Sequence, residues 1–141
     1  MTIQGIPAEG FKTVGQITAT NTLQFHPDQE GLGIAVDLIS SHTSGGPVVD
    51  KNGQFLGFIS EFDILRMLEN GKDLSTLKAT DIMIHAQIFV TDSTPLVEAV
   101  RLMEQKHLLV LPVVKNGVVL KSITRHDLLR AWVGLGIGVE D

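Results

Sequence analysis

The chain repeats itself at about half its length, and a duplicated unit limits its possible folds more than any other feature. Gly46-Pro47-Val48-Val49, Asn52-Gly53, Leu56, Ile59-Ser60 and Asp63-Ile64-Leu65-Arg66 are answered by Leu111-Pro112-Val113-Val114, Asn116-Gly117, Leu120, Ile123-Thr124 and Asp127-Leu128-Leu129-Arg130. The prolines stand 65 residues apart (47 to 112) and the aspartates 64 (63 to 127), so the second copy has lost one residue at its turn. Upstream, residues 31–39 match 95–103 at an offset of 64, and the lead-in 13–17 matches 78–82 at 65. One unit alone buries too little surface to stand by itself. The expectation is an α+β fold in which two copies pack face to face around a shared core, related by an approximate two-fold axis.

Each copy reads as β-α-β-β-α. A short strand (22–26; 87–91) runs into a polar turn, where Pro27-Asp28 and Asp92-Ser93-Thr94-Pro95 are expected to supply capping oxygens to the next helix. That helix carries Leu32, Ala35, Val36, Leu38 and Ile39 in the first copy, and Leu96, Ala99, Val100, Leu102 and Met103 in the second. Two strands (47–50 and 54–60; 109–115 and 118–124) flank an Asn-Gly turn, a strong hairpin signal because both residues tolerate positive φ. An amphipathic helix closes each copy, over 61–70 and 125–133, with Gly71 and Gly134 placed to end them. The organisation is then an N-terminal segment 1–10, copies over 11–72 and 73–133, and a tail 134–141. Gly134-Leu135-Gly136-Ile137-Gly138 reads as flexible tail rather than a phosphate loop, because no helix follows to receive a phosphate. On the closing helices, Phe62, Leu65, Met67 and Leu68, with Leu128, Leu129 and Trp132, exceed what a small sheet needs. Most are expected in the core and the rest in a dimer face.

Composition removes several classes of function. The absence of cysteine excludes a zinc ribbon, a redox dithiol and a thiol nucleophile. With 11 Lys and Arg against 16 Asp and Glu, the net charge of −5 argues against a nucleic-acid binder. The longest apolar runs, 108–114 and 131–139, are too short to span a bilayer, and the N-terminus lacks a signal-peptide pattern. A cytoplasmic location without a membrane or nucleic-acid partner is expected. The histidines at 26, 42, 85, 107 and 126 show no paired metal-ligand spacing and read as surface or turn residues, with His126 kept as a phosphate neighbour.

Ser44-Gly45-Gly46-Pro47-Val48-Val49-Asp50 with Phe58-Ile59-Ser60-Glu61-Phe62-Asp63, residues 78–83, Leu111-Pro112-Val113-Val114, and Ile123-Thr124-Arg125-His126-Asp127 resemble the CBS domain. The duplication resembles its tandem pair, the Bateman module, from Phe11 to about Trp132. The resemblance implies a non-catalytic regulatory module that binds an adenosine-containing ligand in clefts between the repeats and signals to a regulated protein. AMP, ADP or ATP, with or without magnesium, is implied first; a minority of the family binds S-adenosylmethionine or NAD-type dinucleotides. It also implies a flat homodimer joined through helices. Carried onto this chain, Asp63 and Asp127 accept hydrogen bonds from both ribose hydroxyls, and Ser60 and Thr124 meet phosphate. The backbone before the Pro-Val pair (Gly46; Leu111-Pro112), with Ile17 from the lead-in and Ile88 from the first strand, holds the adenine.

The chemistry of the residues is consistent with those roles. A carboxylate only accepts, which suits two vicinal hydroxyl donors, and a helix start offers free N–H groups to an anion. Arg125 and His126 beside Thr124 favour phosphate, whereas Glu61 and Phe62 hold those places in the first copy, so charge ranks the Asp127 site higher. The same Ser/Thr-x-x-Asp spacing also fits a plain capping box. Lys121 stands where the first copy has Gly57, and would either lie in solvent or reach toward ligand phosphates. Two other readings remain: a structural dimerisation disc with empty clefts, and a small hydrolase or transferase using Asp63 or Asp127 as base. No Ser-His-Asp spacing, metal cluster or phosphate loop supports the latter.

Overall fold

Two hairpins, each turning at an Asn-Gly pair, organise the chain. The computed structural model describes residues 13–133. These divide into two compact units that cross the order of the copies. The first unit takes Leu23–Ile88 with Asn116–Val119; the second takes 13–22, Phe89–Lys115 and 120–133. The lead-in of each copy thus belongs to the unit built mainly from the other. The segment 1–10, Gly134 and the glycine tail lie outside the described residues.

The first unit contains α1 (Gly31–Ser41), β1 (Gly45–Val49), β2 (Phe55–Ser60), α2 (Glu61–Glu69) and α3 (Ala79–Ile82). Strands β1 and β2 run antiparallel with Gly45 opposite Ser60 and Gly46 opposite Ile59, and the register slips between Val48 and Val49. The slip accompanies the longer turn. Asp50 Oδ1 accepts the amides of Asn52 and Gln54 at 2.8 and 2.9 Å, and only Gly53 (φ 81°) of the Asn-Gly pair is left-handed. The core is Phe25, Ile34, Leu38, Val48, Ile59 and Ile64, with Ile82 of α3 against it. Burying a side chain such as Phe25 completely contributes about 1.5–3 kcal/mol.

The second unit contains α4 (Leu96–Lys106), β3 (Val110–Lys115), most of β4 (Val118–Thr124) and α5 (Arg125–Trp132). Strands β3 and β4 form a two-stranded sheet. Asn116 (φ 53°) and Gly117 (φ 83°) both adopt the left-handed conformation of a two-residue hairpin turn. The residue missing from the second copy is therefore the turn residue. Val14, Leu96, Ala99, Val113, Ile123 and Leu128 are buried here.

Three expectations change. The strands over 22–26 and 87–91 reduce to single parallel rungs, Phe25 beside Val48 and Val90 beside Val113. Pro27 has no N–H to extend the first, and Thr94 Oγ1 takes the Thr91 amide at 3.0 Å beside the second. The polar turns do not cap α1 or α4, whose N-cap positions are Glu30 and Pro95 without a side-chain bond. The closing helices turn Asp63, Ile64 and Met67, and Asp127, Leu128 and Ala131, toward the protein. Phe62, Leu65, Leu68, Leu129 and Trp132 are consequently exposed, Phe62 to 73%, rather than mostly in the core.

Helices α1 and α4 end on left-handed histidines, His42 (φ 54°) and His107 (φ 55°). Past each, an amide reaches back five residues, Thr43 to the Leu38 carbonyl at 3.2 Å and Leu108 to Met103 at 2.9 Å. A non-glycine residue is disfavoured in that conformation. The substitution His107→Gly is expected to stabilise the fold by about 1 kcal/mol and raise the melting temperature by a few degrees. An unchanged or lower melting temperature would show that the His107 side chain contributes more than its backbone costs.

Candidate functional site

The two aspartates of the repeat are the large buried acids among the described residues, with 2% of Asp63 and 1% of Asp127 exposed. Each sits three residues into a helix whose N-cap is the preceding Ser or Thr. Ser60 Oγ accepts the Asp63 amide at 3.3 Å and Thr124 Oγ1 the Asp127 amide at 3.0 Å. In return Asp63 Oδ2 accepts the Ser60 amide at 2.7 Å, and Asp127 Oδ2 the Thr124 amide at 3.0 Å. Both capping boxes are complete, so the local reading of the spacing holds in both copies.

Capping uses mainly one oxygen of each carboxylate. At Asp63, the Ser60 hydroxyl also donates to Oδ2 at 3.0 Å, and Oδ1 faces Arg66 at 3.0 Å. The Arg66 side chain is 57% exposed. At Asp127, Oδ1 accepts Arg130 at 3.1 Å, with the Arg130 side chain 25% exposed, and also the Thr20 hydroxyl at 2.7 Å. The Thr20 amide reaches Oδ2 at 3.4 Å. Thr20 was not among the residues singled out from the sequence. It lies 107 residues from Asp127, and no local pattern links them.

The remaining candidates divide between the units. Gly46 lies beside Ser60 because the register sets Gly45 opposite Ser60. A Cβ on Gly46 would stand 2.9 Å from the Leu23 carbonyl, so only glycine permits that approach. Its counterpart Leu111 is buried, as is Pro112. Ile17 is buried in the second unit, with Thr124 and Asp127; Ile88 is half-buried in the first, with Ser60 and Asp63. Arg125 and His126 are exposed in the first turn of α5. Lys121 does not lie outward in solvent. It is half-buried, and its Nζ donates to the Ile17 carbonyl at 2.7 Å. Burial pushes its ammonium below the usual lysine range, against the pull of Asp127 and Asp92.

Comparison with known proteins places the chain in a family. The family model for the CBS domain matches residues 12–70 and again 79–134. The chain belongs to the CBS domain family, as a tandem pair. Arabinose 5-phosphate isomerase KdsD of Yersinia pestis is 31% identical over 86 residues, 61% of this chain. The match spans about a quarter (26%) of the isomerase's own length. Among solved structures, CBSX2 in complex with AMP aligns with a TM-score of 0.74 at 29% identity, covering 86% of this chain and 96% of that one. The CBS domain pair of MJ0100, in complex with 5′-methylthioadenosine and S-adenosyl-L-methionine, aligns at 0.73 with 24% identity, covering 84% and 93%. The two-repeat α+β fold is shared with both. Among the described residues no helix is long and apolar enough to cross a membrane.

Proposed function

We propose that the chain is a regulatory module that binds an adenosine-containing ligand and passes its occupancy to a partner protein. The observation that carries this reading is the buried carboxylate, present twice, at the third position of a helix. A buried charge is costly unless compensated, and a capping box works equally well at the surface. What burial adds is a desolvated acceptor, which strengthens hydrogen bonds from a vicinal diol. Asp63 and Asp127 are the ribose acceptors, and Ser60 and Thr124 sit where phosphate meets the helix N-terminus. Arg125 and His126, exposed beside Thr124, are free to reach a phosphate. Gly46 with Ile88, and Leu111 and Pro112 with Ile17, form the adenine end. AMP, ADP or ATP is the first ligand class, with magnesium where a di- or triphosphate brings it. The known complexes of CBSX2 with AMP and of MJ0100 with adenosine-type ligands support the class.

The module is not an enzyme in this reading, and its location is the cytoplasm. It associates with itself through the apolar faces of its helices. On α1 and α2 that face includes Ile39, Phe62, Leu65 and Leu68; on α4 and α5, Leu129 and Trp132. A symmetric dimer puts the same patch on both partners.

The reading is tested by melting the protein with AMP, ADP, ATP, S-adenosylmethionine, NADH or GTP, with and without magnesium. A ligand at 100 times its Kd adds about 2.7 kcal/mol, a rise of several degrees at this size. The expected outcome is a rise with adenosine compounds and none with GTP. No rise with any of them would favour the alternative, a dimerisation module without a ligand.

A further inference from the structure

The two carboxylates differ in what already occupies them, and the difference traces to a single position six residues earlier, Gly57 in one copy and Lys121 in the other. In the first unit the lead-in crosses β2 closely at Gly57. A Cβ there would stand 2.7 Å from Met83 Sδ and 2.8 Å from the Ile84 carbonyl. Ile84 bridges the next residue, Phe58, through amide bonds of 3.0 and 2.8 Å. The second unit has Lys121 at the Gly57 position, and no such close crossing is open to it. The lysine is half-buried, and its ammonium ties the Ile17 carbonyl at 2.7 Å. The repeat offset pairs Ile84 with Ala19, yet the residue that bridges Ser122 is Asn21. The lead-in has run two residues further before meeting the strand. Thr20 then lies over Asp127, whereas its counterpart His85 is exposed and makes no hydrogen bond to Asp63 among the described residues.

The contact has a specific chemical form. Thr20 presents two donors to one carboxylate, its hydroxyl to Oδ1 at 2.7 Å and its amide to Oδ2 at 3.4 Å. With Thr124 and Arg130, these bring the donors on Asp127 to four. That fills the roughly four lone-pair sites of a carboxylate. Asp63 lacks any donor from its lead-in among the described residues; its partners are Ser60 and the largely exposed Arg66.

We propose, on the basis of the nucleotide reading above, that Thr20 is an internal stand-in for the ribose diol. It occupies Asp127 and has to leave before a ligand's hydroxyls reach that carboxylate. Asp63 is therefore filled first, and Asp127 is a latched second site. Thr20, set in place by Lys121, determines the order. Charge favours phosphate near Arg125, but the latch acts on the ribose end, where a competing charge-assisted hydrogen bond has to be replaced rather than added.

The test is a titration of the whole ¹⁵N-labelled chain with AMP, following the amides of Ser60 and Asp63 against those of Thr124 and Asp127. In the unsubstituted protein the first pair is expected to half-saturate at an AMP concentration about 10-fold lower or more. Thr20→Val keeps the branched shape and removes the hydroxyl. It should lower the half-saturation at Thr124 and Asp127 by about 10-fold or more while leaving Asp63 unmoved. Thr20→Ser, which keeps the hydroxyl, should preserve the original order. The latch is overturned if Thr20→Val leaves Thr124 and Asp127 unchanged while Ser60 and Asp63 still respond, or if Asp127 fills first in the unsubstituted protein. If no amide responds to AMP in any of the three proteins, the nucleotide reading itself fails, and the latch with it.

Discussion

Asp63→Ala is expected to weaken AMP binding at the first unit by roughly 100-fold to 10,000-fold. Two hydrogen bonds from ribose hydroxyls to an ionised acceptor are worth about 1.5–3 kcal/mol each, and each 1.4 kcal/mol is a decade of affinity. The same substitution removes one half of the α2 capping box, which costs about 1 kcal/mol of stability. Asp63→Asn separates the two effects. It keeps a side-chain oxygen for the Ser60 amide, now 2.7 Å from the carboxylate, but loses the charge. The asparagine protein should melt close to the unsubstituted one and still bind AMP poorly. Titration calorimetry on both variants measures the loss. Unchanged affinity in both would remove Asp63 from the site.

The second large effect concerns the exposed helix faces. Phe62→Glu together with Leu129→Glu is expected to convert a dimer into a monomer, with self-association weakened by about 100-fold or more. Burying a side chain of this size contributes about 1.5–3 kcal/mol, and a symmetric interface loses each contact twice. The fold should persist, because Phe62 is 73% and Leu129 62% exposed. Sedimentation velocity at micromolar concentration reads the change directly. An unsubstituted protein that already sediments as a monomer, or a double variant that still sediments as a dimer, would contradict the dimer reading.

What could be read from the sequence was what short spacing or repetition carries. The missing residue between the offsets of 65 and 64 is the difference between the Asp50–Gly53 turn and the Asn116-Gly117 turn. Both capping boxes follow from Ser60-x-x-Asp63 and Thr124-x-x-Asp127, because their partners are three residues apart. The helix faces were misjudged for a physical reason. The inward stripe of each closing helix contains an aspartate, so of the apolar residues counted toward the core only Leu128 and, in part, Met67 face inward. Nor could spacing reveal that each lead-in joins the other copy's unit, placing Ile17 with Asp127 and Ile88 with Asp63. Thr20 was out of reach for the same reason. Its carboxylate partner lies 107 residues away, and the lysine that ties its segment at Ile17 is 104 residues from that carbonyl.

The central claim is that a buried carboxylate accepts the hydroxyls of an adenosine ligand. It is tested most directly by titrating the protein with AMP and with the monophosphate of 2′,3′-dideoxyadenosine, which keeps base and phosphate but lacks both ribose hydroxyls. The account predicts that the dideoxy compound binds about 100-fold more weakly or worse. Equal affinity for the two would contradict it.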